Sequence, residues 1–361
     1  MLTGLLLTTE ATIRDAMTAI DQNRKGIVLL VDEQRHLKKT VTDGDIRRAI
    51  LMGIDLDSPL ELLLQDQQKI ADSKPVTALL GIGIEELLLL MQQHRIRQIP
   101  ILDDDDRVVD LATMDELLPN AELPLHAVIM AGGYGKRLRP LTEDLPKPML
   151  PVGDRPLLER TIARLRSSGI RRVQISTHYM KDKITDYFGD GEAFGVELNY
   201  VTEEQPLGTA GALGLMEISE DPVLVMNGDI LTQVDFRAML DFHCHHDADM
   251  TIAVRQYGVE VPYGVVETDG VNVRRIVEKP TMKNFINAGI YLLSPDAHRR
   301  IPHSRRFDMP ELIDMLIQEE RTVICFPVRE YWKDIGQFED YHQAEADFAR
   351  GGVGELQGVS A

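Results

Sequence analysis

The sequence predicts an α/β domain with a mixed, mostly parallel sheet, preceded by a smaller α+β module. Three observations support this expectation. The chain has 361 residues, which is long for one domain. The first 120 residues repeat a helix-strand pattern at a spacing of about 70 residues, and an apolar strand followed by a glycine-rich loop begins after Pro124. We therefore place the domains at 1–120 and 121–350 and expect a frayed tail at 351–361.

Composition and charge narrow the classes of function. Hydrophobic residues make up 43% and charged residues 27% of the chain, which is ordinary for a folded protein. The net charge of -19 argues against broad electrostatic capture of nucleic acid or of anionic membranes, so neither is expected as a partner. We expect a cytoplasmic protein. The chain has two cysteines, shows no export signal and contains no apolar run of the roughly 18 residues that span a bilayer.

Two related patterns make up the first 120 residues. In the first, an amphipathic helix over about 12–23 precedes the apolar strand 26–32, and Thr42 with Asp45 opens a second helix. In the second, a leucine-rich helix near 85–94 precedes an apolar strand, and Asp115 lies at the start of the next helix. Each pattern is too small to bury its own faces, so we expect the two to pack as one module.

This stretch resembles a pair of cystathionine-β-synthase (CBS) domains, which bind adenosine nucleotides and related ligands. Thr42 and Asp45 match the family's Thr/Ser-x-x-Asp motif. The resemblance implies that the carboxylate accepts from ribose hydroxyls while the helix N-terminus faces phosphate. An ordinary helix cap is the alternative interpretation of the same two residues. In the second pattern we align Ala112 with the threonine and Asp115 with the aspartate, which predicts an impaired second site.

A glycine-rich loop with basic residues follows the first strand of the second domain. The strand 126–131 leads into the glycines of 132–135, and Arg137 and Lys147 follow. Glycines let backbone N–H groups approach phosphate oxygens that a Cβ would keep away. Leu138 stands where the dinucleotide-binding fingerprint requires glycine, which argues against a nicotinamide enzyme, and the Gly-Lys-Ser/Thr of a Walker loop is absent.

The segment 132–148 closely resembles the signature of sugar-1-phosphate nucleotidyltransferases, Gly-x-Gly-x-Arg-Leu followed by Pro-Lys-Pro. Lys136 departs from this pattern, because family members commonly carry Thr or Ser there. Further segments match the same family in order, at 203–211, 222–229, 263–265, 277–280, 286–291 and 331–336. The resemblance covers about 125–348 and implies a Rossmann-like nucleotidyltransferase domain.

The resemblance implies attack by a sugar-1-phosphate on a nucleoside triphosphate, with release of pyrophosphate, and Mg²⁺ as cofactor. The implied catalytic residues are Arg137, Lys147, Asp229 and Asp334, of which Asp229 and Asp334 would hold the metal. The implied nucleotide-binding residues are Ala131, Gly132, Gly133, Gly135, Lys136, Glu203, Gly208 and Thr209. The implied sugar-phosphate residues are Gly264, Glu278, Lys279 and Asn287, and the implied ligand residues of the CBS pair are Thr42, Asp45 and Asp115.

Glu203 favours guanine as the base, and an exposed loop residue is the alternative interpretation of Glu203. A carboxylate can accept from both guanine N1–H and its exocyclic amine, whereas uracil and thymine offer one ring N–H and no amine. The loop that follows is most similar to guanylyltransferases, of which the mannose-1-phosphate enzymes are the type, so GTP is the expected donor. A uridylyl- or thymidylyltransferase of the same family and a non-catalytic nucleotide-sensing protein stay open as alternatives. We also expect a homo-oligomer with a regulatory purine nucleotide at the CBS pair.

Overall fold

The computed structural model describes residues 2, 4–63, 74–118, 122–203, 205–303 and 305–351, so the predicted tail lies outside the described residues apart from its first residue. Internal contacts divide the chain into two units. One comprises Met1–Leu123 with Leu240–His245, and the other comprises Pro124–Met239 with His246–Ala361. Over the described residues, every helix is too short or too polar to cross a bilayer.

The front unit contains two copies of one arrangement of strands and helices. The first copy contains β1 (Leu6–Leu7), α1 (Ile13–Asn23), β2 (Ile27–Val31), β3 (Leu37–Thr42) and α2 (Asp43–Leu51). The second contains β4 (Ala78–Leu79), α3 (Ile84–His94), β5 (Gln98–Leu102), β6 (Val108–Thr113) and α4 (Met114–Leu117). In both copies the middle strand pairs parallel with the short first strand and antiparallel with the third. The structure therefore contains the internal repeat that the sequence predicts.

Strand β2 is buried on both faces, which explains its unbroken apolar run. Val28 packs with Ile46 among the helices of its own copy. Leu29, which points to the opposite face, belongs to a second cluster with Leu111 of the other copy. Each copy therefore covers an apolar face that the other could not bury alone, and the two form one module.

The second unit is an α/β domain built on a seven-stranded sheet of order β11-β10-β7-β12-β17-β14-β18. Its strands are β7 (His126–Met130), β8 (Pro151–Val152), β9 (Arg155–Pro156), β10 (Arg172–Thr177), β11 (Glu197–Thr202), β12 (Val223–Asn227), β13 (Ile230–Thr232), β14 (Met250–Glu260), β15 (Val265–Asp269), β16 (Asn272–Val277), β17 (Thr281–Leu293), β18 (Val323–Pro327) and β19 (Trp332–Asp334). Its helices are α5 (Leu157–Ser167), α6 (Lys181–Phe188), α7 (Gly208–Gly211), α8 (Phe236–His245, of which Leu240–His245 belong to the front unit), α9 (Pro295–Arg299), α10 (Met309–Gln318) and α11 (Phe338–Ala349).

All neighbouring strands of this sheet are parallel except at β17, which runs antiparallel to both β12 and β14. The prediction of a mixed, mostly parallel sheet is confirmed. Three further antiparallel pairs, β8–β9, β13–β19 and β15–β16, lie outside the main sheet. The central strand β12 is buried from Val223 to Met226, and it leads directly into the candidate site.

Candidate active site

The carboxyl ends of four parallel strands meet at one edge of the sheet, where α/β proteins bind their ligands. Met130, the last residue of β7, is in register with Ser176 on β10 and with Asn227 on β12. Strands β10 and β11 end in register at Thr177 and Thr202. The glycine-rich loop, Glu203 and Asp229 each follow one of these strand ends, so the chain brings them to the same edge.

Two glycines allow a close approach of backbone at this edge. Gly228 N donates to Met130 O at 2.9 Å, and a Cβ at Gly228 would lie 2.8 Å from that oxygen. Gly135 has a φ of 61°, and its carbonyl oxygen accepts from Thr142 Oγ1 at 2.8 Å. A Cβ at Gly135 would lie 3.0 Å from the Thr142 methyl carbon. A larger residue at Gly228 would push this position away from the end of β7, and one at Gly135 would push the loop away from Thr142.

The antiparallel pair β13–β19 places the two predicted metal ligands side by side. Ile230 lies opposite Asp334, and Ile335 N donates to the carbonyl oxygen of the preceding Asp229 at 3.0 Å. Burial raises the pKa of Asp334, and the negative charge of Asp229 raises it further, whereas Lys147 and Arg137 oppose these shifts. The two carboxylates are therefore close enough to repel each other.

Two cations accompany the carboxylate pair. Lys147 Nζ donates to Asp229 Oδ2. A Cβ built on Gly336 would lie 3.8 Å from both Arg137 Nη1 and Asp334 Oδ1, so the guanidinium lies near the second carboxylate. The structure thus brings together all four residues to which the sequence assigned catalysis.

The donor set suits a magnesium ion that is also held by substrate. Asp229 and Asp334 offer hard oxygen donors, and Mg²⁺ binds through one or two carboxylates with phosphates and water completing its shell. Within the part of the chain that the structure describes, no three His, Cys, Asp or Glu side chains are grouped to hold a metal by themselves. The ion pair between Lys147 and Asp229 shows that this carboxylate already attracts a cation.

Glu203 is buried, with 6% of its surface exposed, and the protein already bonds both of its carboxylate oxygens. Oε1 accepts from Ser176 Oγ, and Oε2 accepts from Leu207 N at 2.8 Å. A Cβ at Gly132 would lie 3.2 Å from Oε1, so the glycine-rich loop passes close to this carboxylate. Since each oxygen has a second lone pair, recognition of a base by Glu203 stays a prediction.

His178 joins the glycine-rich loop to the end of β11, a role that the sequence analysis missed. Its Nδ1 lies 2.8 Å from Glu203 O, and its Nε2 lies 3.0 Å from the Tyr134 hydroxyl. A carbonyl can only accept, so in the neutral imidazole Nδ1–H donates and Nε2 accepts from Tyr134. Lys136 Nζ lies 5.3 Å from the centre of the Tyr134 ring. The position of His178 immediately after β10 was the available signal.

The predicted sugar-phosphate residues fall into two places. A Cβ on Gly264 would lie 3.0 Å from Glu278 Oε2, so these two residues are neighbours beside the β15–β16 pair. Lys279 follows with a positive φ of 44°. Asn287 lies on β17, where Oδ1 accepts from Gly289 N at 2.9 Å and Nδ2 donates to Tyr291 Oη at 2.8 Å.

Gly289, whose N–H donates to Asn287, allows this part of β17 to approach the end of β12. It has a φ of 68°, and a Cβ there would lie 2.7 Å from Asn227 Nδ2. Nearby, the Trp332 indole N–H donates to Ala288 O at 2.8 Å, which ties this part of β17 to β19. Asn287 therefore lies near the end of β12, which Asp229 follows, and near β19, which carries Asp334.

In the front module, the alignment of Ala112 with the motif threonine is wrong by one residue. Thr42 is the N-cap of α2 and accepts from Asp45 N, and Thr113 is likewise the N-cap of α4 and accepts from Glu116 N. Thr113 lies opposite Gln98 on β5, as Thr42 lies opposite the first residue of β2. The structural equivalent of Asp45 is therefore Glu116. The sequence alignment paired Asp45 with Asp115 because both are aspartates, and this pairing shifted the alignment of the two motifs by one residue.

The two motifs differ in what surrounds their acidic residues. Asp45 is 6% exposed and accepts from Thr42 N and Oγ1 through one oxygen and from Arg48 Nη2 through the other. The second motif instead borders a cavity of about 240 Å³. Its lining comprises Asn23, Arg24, Lys25, Arg97, Gln98, Thr113, Met114, Asp115 and Glu116. Asp115 thus faces an open space, whereas Thr42 and Asp45 do not line this cavity.

A glycine-rich loop, two carboxylates and two cations at the carboxyl edge of a mostly parallel sheet place this domain in the class of α/β domains with a polar, charged site at the strand ends. The chain belongs to the nucleotidyl transferase family, whose profile matches residues 126–351. A profile of the CBS domain matches residues 68–120.

Two proteins with similar sequences are named mannose-1-phosphate guanylyltransferase. Mannose-1-phosphate guanylyltransferase of Mycobacterium tuberculosis is 35% identical over 62% of this chain and 65% of its own length. The catalytic subunit beta of this enzyme in Danio rerio is 34% identical over 60% of this chain and 62% of its own length. The chain therefore spans less than two thirds of either relative.

Two solved structures resemble part of this chain. A putative glucose-1-phosphate thymidylyltransferase from Bacillus anthracis superposes with a TM-score of 0.50 at 25% identity, covering 62% of this chain and 94% of that one. HddC from Yersinia pseudotuberculosis gives a TM-score of 0.50 at 30% identity, covering 62% of this chain and 99% of that one.

Proposed function

We propose that the protein transfers GMP from GTP to a sugar-1-phosphate, giving a GDP-sugar and pyrophosphate. The observation that carries this proposal is the grouping of Asp229, Asp334, Lys147 and Arg137 beside the glycine-rich loop. The relatives named mannose-1-phosphate guanylyltransferase support guanine as the base and suggest mannose-1-phosphate as the first sugar phosphate to test.

The reaction needs no protein nucleophile. An oxygen of the sugar-1-phosphate attacks the α-phosphorus of GTP and forms a P–O bond. At the same time the bond breaks between that phosphorus and the oxygen that bridges it to the β-phosphorus. Both electrons of the broken bond leave with pyrophosphate. Since the nucleophile is already an anion, the protein has to align two highly charged molecules and neutralise their charge.

Each group of the site has a place in this reaction. Mg²⁺ bound by Asp229 and Asp334 would neutralise charge on the phosphates. We assign Lys147 to the reacting phosphates and Arg137 to the departing pyrophosphate. Glu278 and Asn287 would bind sugar hydroxyls, and Lys279 would bind the sugar phosphate.

The base preference is tested by pyrophosphate release with GTP, UTP or dTTP over a panel of sugar-1-phosphates. We expect GTP to be preferred and the preference to shrink in Glu203→Gln, because an amide has one acceptor oxygen where a carboxylate has two. Ser176→Ala, which removes a partner of Glu203 but retains its charge, is the matched control. Equal wild-type rates with all three triphosphates, or an undiminished preference in Glu203→Gln, would contradict guanine recognition by this residue.

Lys279→Ala should raise the KM for the sugar-1-phosphate about tenfold or more with little change in the KM for GTP. A charge-assisted phosphate contact contributes about 1.5–3 kcal/mol, and the triphosphate has its own cations. Lys283→Ala, which removes an exposed lysine of β17, is the control. A rise confined to the KM for GTP would reverse the assignment.

For the front module we infer regulation by a purine nucleotide that binds in the cavity beside α4. Arg97 Nη2 and Asp115 Oδ1 lie 2.5 Å apart, and Lys25 Nζ and Glu116 Oε1 lie 2.8 Å apart. The cavity thus offers cations for phosphate and carboxylates for ribose hydroxyls. Asp45, which the motif predicts as a ligand residue, is the alternative. We also propose a homo-oligomer in which this module takes part.

Titration calorimetry on the whole chain with ATP, AMP and GTP separates the two sites. We expect a site that Asp115→Ala weakens about tenfold or more and that Asp45→Ala leaves largely unchanged, because Asp115 lines the cavity and Asp45 does not. The reverse order of effects would place the ligand at Thr42 and Asp45. A single binding event that Asp115→Ala and Asp45→Ala both leave unchanged would belong to the catalytic domain and would leave the module without a nucleotide.

A further inference from the structure

Two glycines of the predicted nucleotide-binding loop, and a third just after it, pack against residues within 302–303 and 305–308. A Cβ at Gly208, whose φ is 85°, would lie 2.5 Å from Asp308 Oδ1. A Cβ at Gly211 would lie 2.9 Å from Arg305 O, and one at Gly214 would lie 2.5 Å from Pro302 O. All three distances are too short for a real side chain. The spacing of the three glycines therefore serves contact with these later residues.

Backbone hydrogen bonds join the two segments. Phe307 N donates to Leu207 O at 2.8 Å, and Phe307 O accepts from Ala210 N at 3.0 Å and from Gly211 N at 2.8 Å. Beside them, Thr209 N donates to Asp308 Oδ1 at 2.9 Å, and Met309 N donates to Thr209 Oγ1 at 2.8 Å. The loop conformation is thus set by residues about a hundred positions later in the chain.

Asp308 links this loop to a fixed helix. It is the N-cap of α10, and its own N–H donates to Glu311 Oε1 at 3.1 Å. Leu312 and Leu316 of the same helix are fully buried in the main core of the domain. The second carboxylate oxygen of Asp308 lies 3.4 Å from Arg306 Nη2. The helix is therefore held by the core, and Asp308 transmits its position to the loop.

We propose that Asp308 is a positioning residue for nucleotide binding, acting through Thr209 and the conformation of Gly208. This inference rests on the proposed function, which assigns the loop to the triphosphate substrate. On the other side of the loop, Glu203 accepts from Leu207 N, so two carboxylates hold the same short turn. Loss of the Asp308 carboxylate should loosen the turn, weaken GTP binding and leave the sugar-phosphate residues untouched.

The test compares Asp308→Ala with Asp308→Asn in steady-state kinetics and in GTP titration calorimetry, and Glu311→Ala is the matched control. Asp308→Ala should raise the KM and Kd for GTP about tenfold or more, with the sugar-1-phosphate KM within twofold of wild type. Asp308→Asn retains an acceptor for Thr209 N and should recover most of the affinity. Glu311→Ala removes the other half of the helix cap, so it should lower the Tm without changing the KM for GTP.

An unchanged GTP affinity in folded Asp308→Ala would overturn the proposal. So would equal rises in both KM values, or a loss of GTP affinity in Glu311→Ala as large as that in Asp308→Ala, because either would indicate a general structural role. If the wild type binds GTP in an Asp308-dependent way but transfers no nucleotidyl group, the proposed function fails and the positioning role stands. If it neither binds GTP nor catalyses transfer, both fail.

Discussion

Replacement of Asp229 or Asp334 by asparagine should lower turnover at least about a hundredfold at saturating GTP and sugar-1-phosphate, because a metal's charge stabilisation is worth several kcal/mol. The fold should persist, since β13 and β19 are joined through backbone atoms, including the bond from Ile335 N to Asp229 O. The measurements are kcat at saturating Mg²⁺ and the circular dichroism spectrum of each variant.

Asp144→Asn is the matched control, because Asp144 is an exposed carboxylate on the loop that precedes Lys147. It should retain wild-type turnover. The half-saturating Mg²⁺ concentration should rise in Asp229→Asn and in Asp334→Asn. A variant with near-native turnover and an unchanged metal requirement would remove its carboxylate from the proposed metal site.

Lys147→Met should lower kcat about a hundredfold or more, with a smaller change in the KM for GTP. Removal of one preorganised donor to developing charge costs about 10²–10³ in turnover, and Lys147 lies at the Asp229 carboxylate. Arg139→Met, which removes an exposed cation just after the glycine-rich loop, should have little effect. A rise in KM with kcat unchanged would show that Lys147 stabilises the bound ground state and the transition state equally and has no specific role in turnover.

The parts of the fold that the sequence predicts are those with local signals. The strand before Gly132 and the strand before Asp229 are buried apolar runs that end in glycine, and both lie in the structure where the pattern indicates. The position of β17 has no such signal. Its first residues, from Thr281 to Phe285, are exposed and its last residues are buried, so neither a single periodicity nor its antiparallel insertion can be read from the sequence.

In the candidate site too, the sequence predicts the residues that a local pattern marks, and no local pattern indicates those that only a long-range contact brings together. Asp334 joins Asp229 only through the β13–β19 pairing, which no local pattern indicates, and the family resemblance supplied this association. The role of Asp308 could not be predicted from the sequence, because its partner Thr209 lies 99 residues away and the contact involves a backbone N–H. The displaced alignment at Ala112 has a different origin, since Glu116 substitutes for aspartate in the same cap.

The central claim is that the α-phosphorus of GTP passes to a sugar-1-phosphate. The direct test incubates the wild-type protein with Mg²⁺, mannose-1-phosphate and GTP that carries ³²P at either the α or the γ position, and then separates the products. We expect the α label to enter the nucleotide-sugar and the γ label to appear in pyrophosphate. Recovery of the α label in free GMP, or of the γ label in inorganic phosphate or on the sugar, would contradict it.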